Sequence, residues 1–502
     1  MLLPEWTEKV QKRGLDPLGL QNSGVALYQS LLPGISNVTL RIRYYGLYCW
    51  ASEAYAHEVG STDPTEWRTW VRRLEALHAL VAQNAGGETG VAGVEWAQRR
   101  LAIGDDPIDF EEGASTRTDA DRYLTQSFGV FGQAYGSQMV ELGLFSTGAN
   151  HAIPVRSERG LAAAKAFASS IGPELETLIA SRIKTATVTR EDLETLTPIL
   201  PSFIGLGEER DVYEALLFAD RDDAGLADIS RSETLRLVLI TARATQKRPS
   251  SGDVRRHLFS GRESIPERLE PQRLRWETYQ VQDMWQVASA ALLRWAISII
   301  DQFDEGRSLP EIQAEVAARI TDRLDEIAER SWEAFAGGAD ATDAVLDERF
   351  RRMSGSRTAP EDAGFLAVEQ IAALETRVRS RAVLEDEIAR SFQLSGGGRS
   401  IRSELLWLQK RQEQQLCVVV AELVTQRVVR RHTWVATQKL RRQRDYTFLF
   451  ESRDGRLAYR SQYEPVATTP RLDPAVAFLA DIGLLSRGGC TSLGDKIVGA
   501  LD

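Results

Sequence analysis

The sequence predicts a mainly α, multi-domain protein, and three observations carry that reading. Apolar residues recur at the three- and four-residue spacing of amphipathic helices along most of the chain. Strand signal is confined to 446–450 and 457–463, two runs separated by Asp454-Gly455, a strong hairpin turn. With 502 residues, 43% of them hydrophobic and 26% charged, the chain has globular composition and exceeds one ordinary core. The divisions expected are an N-terminal helical domain over 1–205, a helical middle domain over 206–395, and a C-terminal part over 396–502. That last part should hold a long helix, a β-hairpin and a closing helical unit.

Taken in order, Pro33-Gly34 is a turn, Ser36 or Asn37 can cap, and a helix carrying Tyr44, Tyr45, Tyr48, Trp50 and Tyr55 follows. Trp67, Trp70, Val71, Leu74, Leu77 and Val81 mark the apolar face of a helix over 65–84. An acidic loop at 104–113 precedes a helix expected over 119–141. Helices are then expected at 171–183, 190–196, 208–219, 230–245, 274–303, 309–335 and 359–392, with Gly396 to Gly398 as a linker.

Two places repeat one pattern. Glu141-Leu-Gly-Leu-Phe-Ser-Thr-Gly followed by Ser157-Glu-Arg-Gly parallels Asp481-Ile-Gly-Leu-Leu-Ser-Arg-Gly followed by Thr491-Ser-Leu-Gly. In each, a helix ends at a glycine, a short wing-like connection follows, and a Ser or Thr starts the next helix. Both read as winged-helix-like units, near 128–168 and 474–501.

The most distinctive stretch is 400–444, expected as one helix of about a dozen turns. Leu416, Val419, Val420 and Leu423 share one side on a helical wheel. Arg427, Arg430, Arg431, Arg441 and Arg442 continue on that side with Trp434 and Gln438, and no carboxylate falls between Glu422 and Asp445. Guanidinium forks suit phosphate oxygens and an indole suits stacking, so these seven residues form the candidate nucleic-acid site, duplex DNA being the expected ligand. A protein partner, or an acidic helix of the same chain near 311–329, would satisfy the stripe equally well. The net charge of −10 excludes a uniformly basic coat and leaves room only for such a local patch. Arg also outnumbers Lys heavily, with only eight lysines in the chain.

Catalytic signatures are not found in the sequence. No Lys follows a Gly, which removes a Walker A loop, and no Lys has Asp, Glu or Gln two positions before it, as many restriction-type nucleases require. Asp105, Asp106, Asp109, Glu111 and Glu112 form the densest acidic patch, and Asp220, Asp222 and Asp223 the next; both are read as solvated loops. His57, His78, His151, His257 and His432 are dispersed, and Cys49, Cys417 and Cys490 show no CxxC spacing. No metal, cofactor or disulfide framework is expected. The first residues lack a basic segment followed by an apolar one, and the longest apolar run, 287–300, is interrupted by Arg294. A cytoplasmic protein without a membrane segment is the expectation.

The run from Leu31 to Trp50, a turn before an Arg- and Tyr-rich helix, resembles the N-terminal signature of uncharacterised helical bacterial proteins encoded among anti-phage defence genes. Residues 275–295, Arg-Trp-Glu-Thr-Tyr-Gln-Val-Gln-Asp-Met-Trp and an apolar helix, are similar to a second block of such proteins. The resemblance implies a place in a bacterial multi-protein anti-phage or foreign-DNA defence system; the Arg stripe and the winged-helix-like units add the expectation of a nucleic-acid-binding or sensing subunit, and the missing catalytic signatures that it is non-enzymatic. From the residues alone, a docking scaffold for an ATPase or nuclease partner and a divergent metal-dependent nuclease stay open.

Overall fold

The computed structural model describes residues 16–86, 88–147, 152–218, 224–261, 265–393 and 398–499. The chain is mainly helical, and among the described residues its strands form four two-stranded antiparallel pairs. No described helix is long and apolar enough to cross a membrane. Two compact units result: residues 1–28 with 274–469, and residues 29–273 with 470–502. Of the divisions expected from sequence, 205 falls in a loop of the second unit and 395 lies outside the described residues.

In the first unit, residues 274–301 of the Glu270–Asp301 helix are buried on nearly every side. Trp276, Tyr279, Trp285 and Trp295 of the sequence block at 275–295 are core residues. So, unusually, are Glu277, Gln282 and Asp283, and each is bonded outward. Glu277 accepts from Arg377 at 2.7 Å and from Arg381. The Gln282 amide donates to the Leu20 carbonyl at 2.9 Å while its oxygen accepts from the Ile401 amide at 2.7 Å. Asp283 accepts from the Thr468 amide at 3.0 Å and hydroxyl at 2.8 Å. Buried polar groups must be satisfied, so each fixes a distant stretch of chain against this helix.

Three sequence expectations are overruled. The helix expected over 359–392 is two, Pro360–Arg379 and Ala382–Ser391, because Arg381 leaves helical geometry where its guanidinium reaches Glu277. The one expected over 309–335 stops at Leu324, with Trp332–Gly337 separate. The long helix of 400–444 is broken as well: Ile401–Gln409 ends, and a new helix begins at Leu416. Between them, the carbonyls of Gln412 and Gln414 accept the amides of Glu333 and Trp332, and Leu416 donates to Arg330. Backbone committed to that pairing cannot also make helical bonds. From Leu416 the helix is continuous to Gln443 but passes through a π-helical stretch, Leu423–Val429. The hairpin follows as Phe450–Arg453 and Arg456–Tyr459, with Asp454 and Gly455 both at positive φ in its turn.

In the second unit, Tyr44, Tyr45, Tyr48 and Tyr135 form an aromatic cluster. Beside it the buried Glu75 accepts from Tyr48 Oη at 2.8 Å, the amides of Val130 and Phe131 at 2.7 and 2.8 Å, and Tyr123. The helix expected from 119 therefore starts only near Gly129, where this carboxylate caps it. Upstream, Arg72 takes the carbonyls of Ala114, Ser115, Leu124 and Gln126 and holds that segment out of helical form.

The repeated sequence pattern is repeated in three dimensions. Gly143 (φ 69°) and Gly483 (φ 74°) each follow a helix end, and two-residue strands pair as Phe145–Ser146 with Val155–Arg156 and Leu485–Ser486 with Gly489–Cys490. The hydrogen bonds correspond one for one. Leu144 donates to Met139 and Leu484 to Leu479; Ser157 donates to Leu144 and Thr491 to Leu484. The Ser157 and Thr491 hydroxyls donate to the Gly143 and Gly483 carbonyls and accept from the Gly160 and Gly494 amides. A Cβ at Gly160 would stand 2.3 Å from the Leu144 carbonyl oxygen, and one at Gly494 2.5 Å from that of Leu484. Gly160→Ala and Gly494→Ala should each lower stability by about 1–3 kcal/mol in urea denaturation. Were either substitution neutral, the two modules would not share this constraint.

Candidate nucleic-acid interface

The seven stripe residues do not form one surface. Arg427, in the π-helical stretch, is held inward: it donates to the buried Glu404 at 3.0 and 2.5 Å, and Arg399 donates to the same carboxylate at 2.8 Å. Burial alone would raise the Glu404 carboxyl, but the Arg399 and Arg427 guanidiniums outweigh it and hold the group below its usual range. Its partner is thus an acid of the same chain, though not the 311–329 helix.

Arg431 is half-buried, and its Nε donates to the Leu18 carbonyl at 3.0 Å. Gly19 (φ 68°) makes room, since a Cβ there would lie 3.0 Å from an Arg431 nitrogen. Burial, reinforced by repulsion from Arg399 and Arg427, lowers this guanidinium to about 10. The group lies 4.1 Å from the ring centroid of Trp434, which is 49% exposed. On the neighbouring turn, Lys439 donates to the Asp16 carbonyl at 3.0 Å.

Arg430, Arg441 and Arg442 are exposed, and Gln438 is partly so. Among the described residues none of the four side chains has a hydrogen bond or ion pair. In the Arg430–Gln443 helix, Arg430, Trp434 and Arg441 are spaced i, i+4, i+11 and share one face, with Arg442 on the adjoining flank. The opposite face is fixed by buried His432, Val435 and Ala436. Two residues outside the stripe extend the exposed face. Arg444 closes the helix in left-handed conformation (φ 54°), and Tyr446, 45% exposed, lies under the Arg460 guanidinium at 4.1 Å. The sequence places Tyr446 in the strand run 446–450; its one signal for this face is an aromatic two residues past Arg444.

His432 fastens this helix from beneath. Its Nε2 accepts the Leu449 amide at 3.0 Å, so the ring proton sits on Nδ1, which faces the Pro17 carbonyl at 3.2 Å. Burial lowers the ring to about 4.

The acidic patch is committed elsewhere. Asp105 pairs with both terminal nitrogens of Arg100 at 2.7 and 2.6 Å, Asp106 accepts the Arg190 amide at 3.2 Å, and Asp109 accepts the Glu111 amide at 2.9 Å. Asp220, Asp222, Asp223, His151 and Gly396 to Gly397 lie outside the described residues. No cluster of metal-ligating side chains occurs among the described ones. No family model, curated protein or solved structure matches the chain.

The division of the stripe has measurable consequences. Arg427→Ala should cost about 2–3 kcal/mol, since it strips a buried carboxylate of one of its two guanidinium partners, while Arg430→Ala should stay within about 0.5 kcal/mol. Chemical denaturation of the two variants checks this; equal effects would contradict the division. For His432, the unfolded ring titrates near 6.5 and the folded one near 4, so the unfolded chain binds a proton that the native state refuses. Its contribution is complete above about pH 6.5 and declines toward pH 4 by about 1.4 kcal/mol per pH unit. Replacing it in His432→Gln should flatten the stability profile between those limits by that slope, and an unaltered profile would assign the acid sensitivity to another group.

Proposed function

We propose that the protein is a non-enzymatic nucleic-acid-binding or sensing subunit of a bacterial multi-protein anti-phage or foreign-DNA defence system, working in the cytoplasm. The observation that carries the binding part is the face of Arg430, Arg441 and Arg442: three exposed guanidiniums without an acid partner among the described residues, beside an exposed indole. Free guanidiniums clustered on a rigid helix favour an anionic polymer, whose phosphates each take a forked donor. The defence part rests on the resemblance of residues 31–50 and 275–295. The two helix–glycine–hairpin–helix modules support reading 128–168 and 474–501 as winged-helix-like units, a fold used for nucleic acid and for protein docking alike.

A second reading, a scaffold that docks an ATPase or nuclease subunit, is favoured by a different surface. Glu88 bonds both Arg41 at 2.6 Å and Ser202 at 2.5 Å, drawing together two loops of the second unit that expose Val38, Leu40, Phe203 and Leu206. Exposed apolar side chains so grouped suit a protein partner.

Salt dependence tests the first reading. Three phosphate contacts imply a log–log slope of binding against salt of about −2 to −3, and Arg430→Ala with Arg441→Ala should reduce it by about 1.5 while leaving the melting temperature unchanged. Binding that is absent at low salt, or that the double variant leaves intact, refutes this role for the helix.

A further inference from the structure

We infer that the ligand of this face is a single-stranded nucleic acid, with an unpaired base stacked on Trp434 between the phosphate contacts of Arg430 and Arg441. The inference deepens the nucleic-acid reading above and rests on it. It comes from the indole rather than from the charges.

Trp434 is half exposed on a helix whose other side is core, and one face of its ring is covered by the Arg431 guanidinium. That guanidinium is tied to the Leu18 carbonyl, so the indole is backed by a fixed cation instead of a mobile one. A ring held this way has little rotamer freedom left to lose on binding. Its remaining π-face suits another flat π-system, and a cation on the far side strengthens the stack. In a duplex the bases are stacked on one another and present only their edges to the grooves, whereas a single strand can turn a whole base face outward.

The spacing agrees with a short strand. Arg430 and Arg441 are separated by eleven residues, or about 16 Å of helix axis, with Trp434 between them. At the helix end a second exposed ring, Tyr446, carries Arg460 on its face and packs against the Phe448 ring at 5.1 Å. Its hydroxyl donates to Glu451, a carboxylate that Arg460 also binds at 2.9 Å, so the negative charge there is paired. The two stations mark out a track of a few nucleotides, within the range of single-strand binding surfaces.

Fluorescence anisotropy on the full chain tests this with labelled oligothymidylate, oligouridylate and a mixed-sequence duplex, each of about 12 nucleotides or base pairs. One or both single strands should bind at least about tenfold more tightly than the duplex. Trp434→Ala should weaken single-strand binding about ten- to one-hundredfold without changing the salt slope, because stacking releases no counterions. Trp434→Phe should restore most of the loss. Arg430→Ala with Arg441→Ala should do the reverse, lowering the slope. Equal or tighter duplex binding, a neutral Trp434→Ala with its fold intact by melting temperature, or a Trp434→Ala that alters the slope overturns the inference while leaving nucleic-acid binding standing. If Trp434→Ala fails to fold, Tyr446→Ala carries the same expectation at the second station. Failure of all three ligands to bind overturns the underlying reading as well.

Discussion

The constraint on which most of this structure depends is that no carboxylate can be buried alone. Glu75, Glu277 and Glu404 are 3%, 1% and 1% exposed, and each collects donors from chain far away in sequence. Ionised carboxylates accept hydrogen bonds and donate none, so each must be surrounded by N–H and O–H groups or by cations. Glu75 solves this with two tyrosines and a helix N-terminus, while Glu277 and Glu404 each take two arginines. In the first unit this links the central helix to residues 377–381, and the segment at 399 to the π-helical stretch. Apolar packing fills the space around these points, but the bonding groups decide which segments meet there.

Buried backbone carbonyls make a parallel demand, and arginines meet it. Arg72 serves four backbone carbonyls, Arg43 bonds Glu209 together with the carbonyls of Pro198 and Leu200, and Arg294 reaches those of Gly355 and Thr358. Five donors in a flat fork let one side chain satisfy several irregular carbonyls at once, which an ammonium does less well. Arginine count is therefore a poor guide to anionic ligands in this protein. Exposure, together with the lack of an acid partner among the described residues, separates Arg430, Arg441 and Arg442 from Arg427 and Arg431, which share their spacing.

What the sequence disclosed were features encoded locally. Gly143 and Gly483 end helices and Asp454-Gly455 turns a hairpin, as their local sequence requires, and the aromatics Tyr44, Tyr45, Tyr48, Trp50, Tyr55, Trp276, Tyr279, Trp285 and Trp295 are core, although Glu277, Gln280, Gln282 and Asp283 are interleaved with the second group. What it concealed were breaks imposed from a distance. Residues 410–415, Lys-Arg-Gln-Glu-Gln-Gln, contain no glycine or proline and favour a helix by propensity, yet their carbonyls are claimed by 330–333. The start of the helix near 129 was hidden in the same way, because its cap, Glu75, comes from another helix. In the candidate site, the grouping of Trp434 with Arg430, Arg441 and Arg442 is legible from helical spacing, whereas the inward turn of Arg427 depends on where Glu404 lies.

The π-helical stretch is the last link between the core and the exposed face. On an uninterrupted α-helix, Arg430 and Arg441 would continue on the side where Leu416, Val419, Val420 and Leu423 are buried, and their charges would enter the core without partners. Each wide turn takes up an extra residue and rotates everything downstream by about one residue's angle, roughly 100°. Across Leu423–Val429 the helix therefore changes which side it buries. Downstream of it, His432, Val435 and Ala436 take over the core face, and the arginines with Trp434 face outward. The register defect does what sequence pattern alone does not: it joins an apolar helix to a basic one within a single rigid rod, and it leaves Arg427 at the joint, turned inward to Glu404.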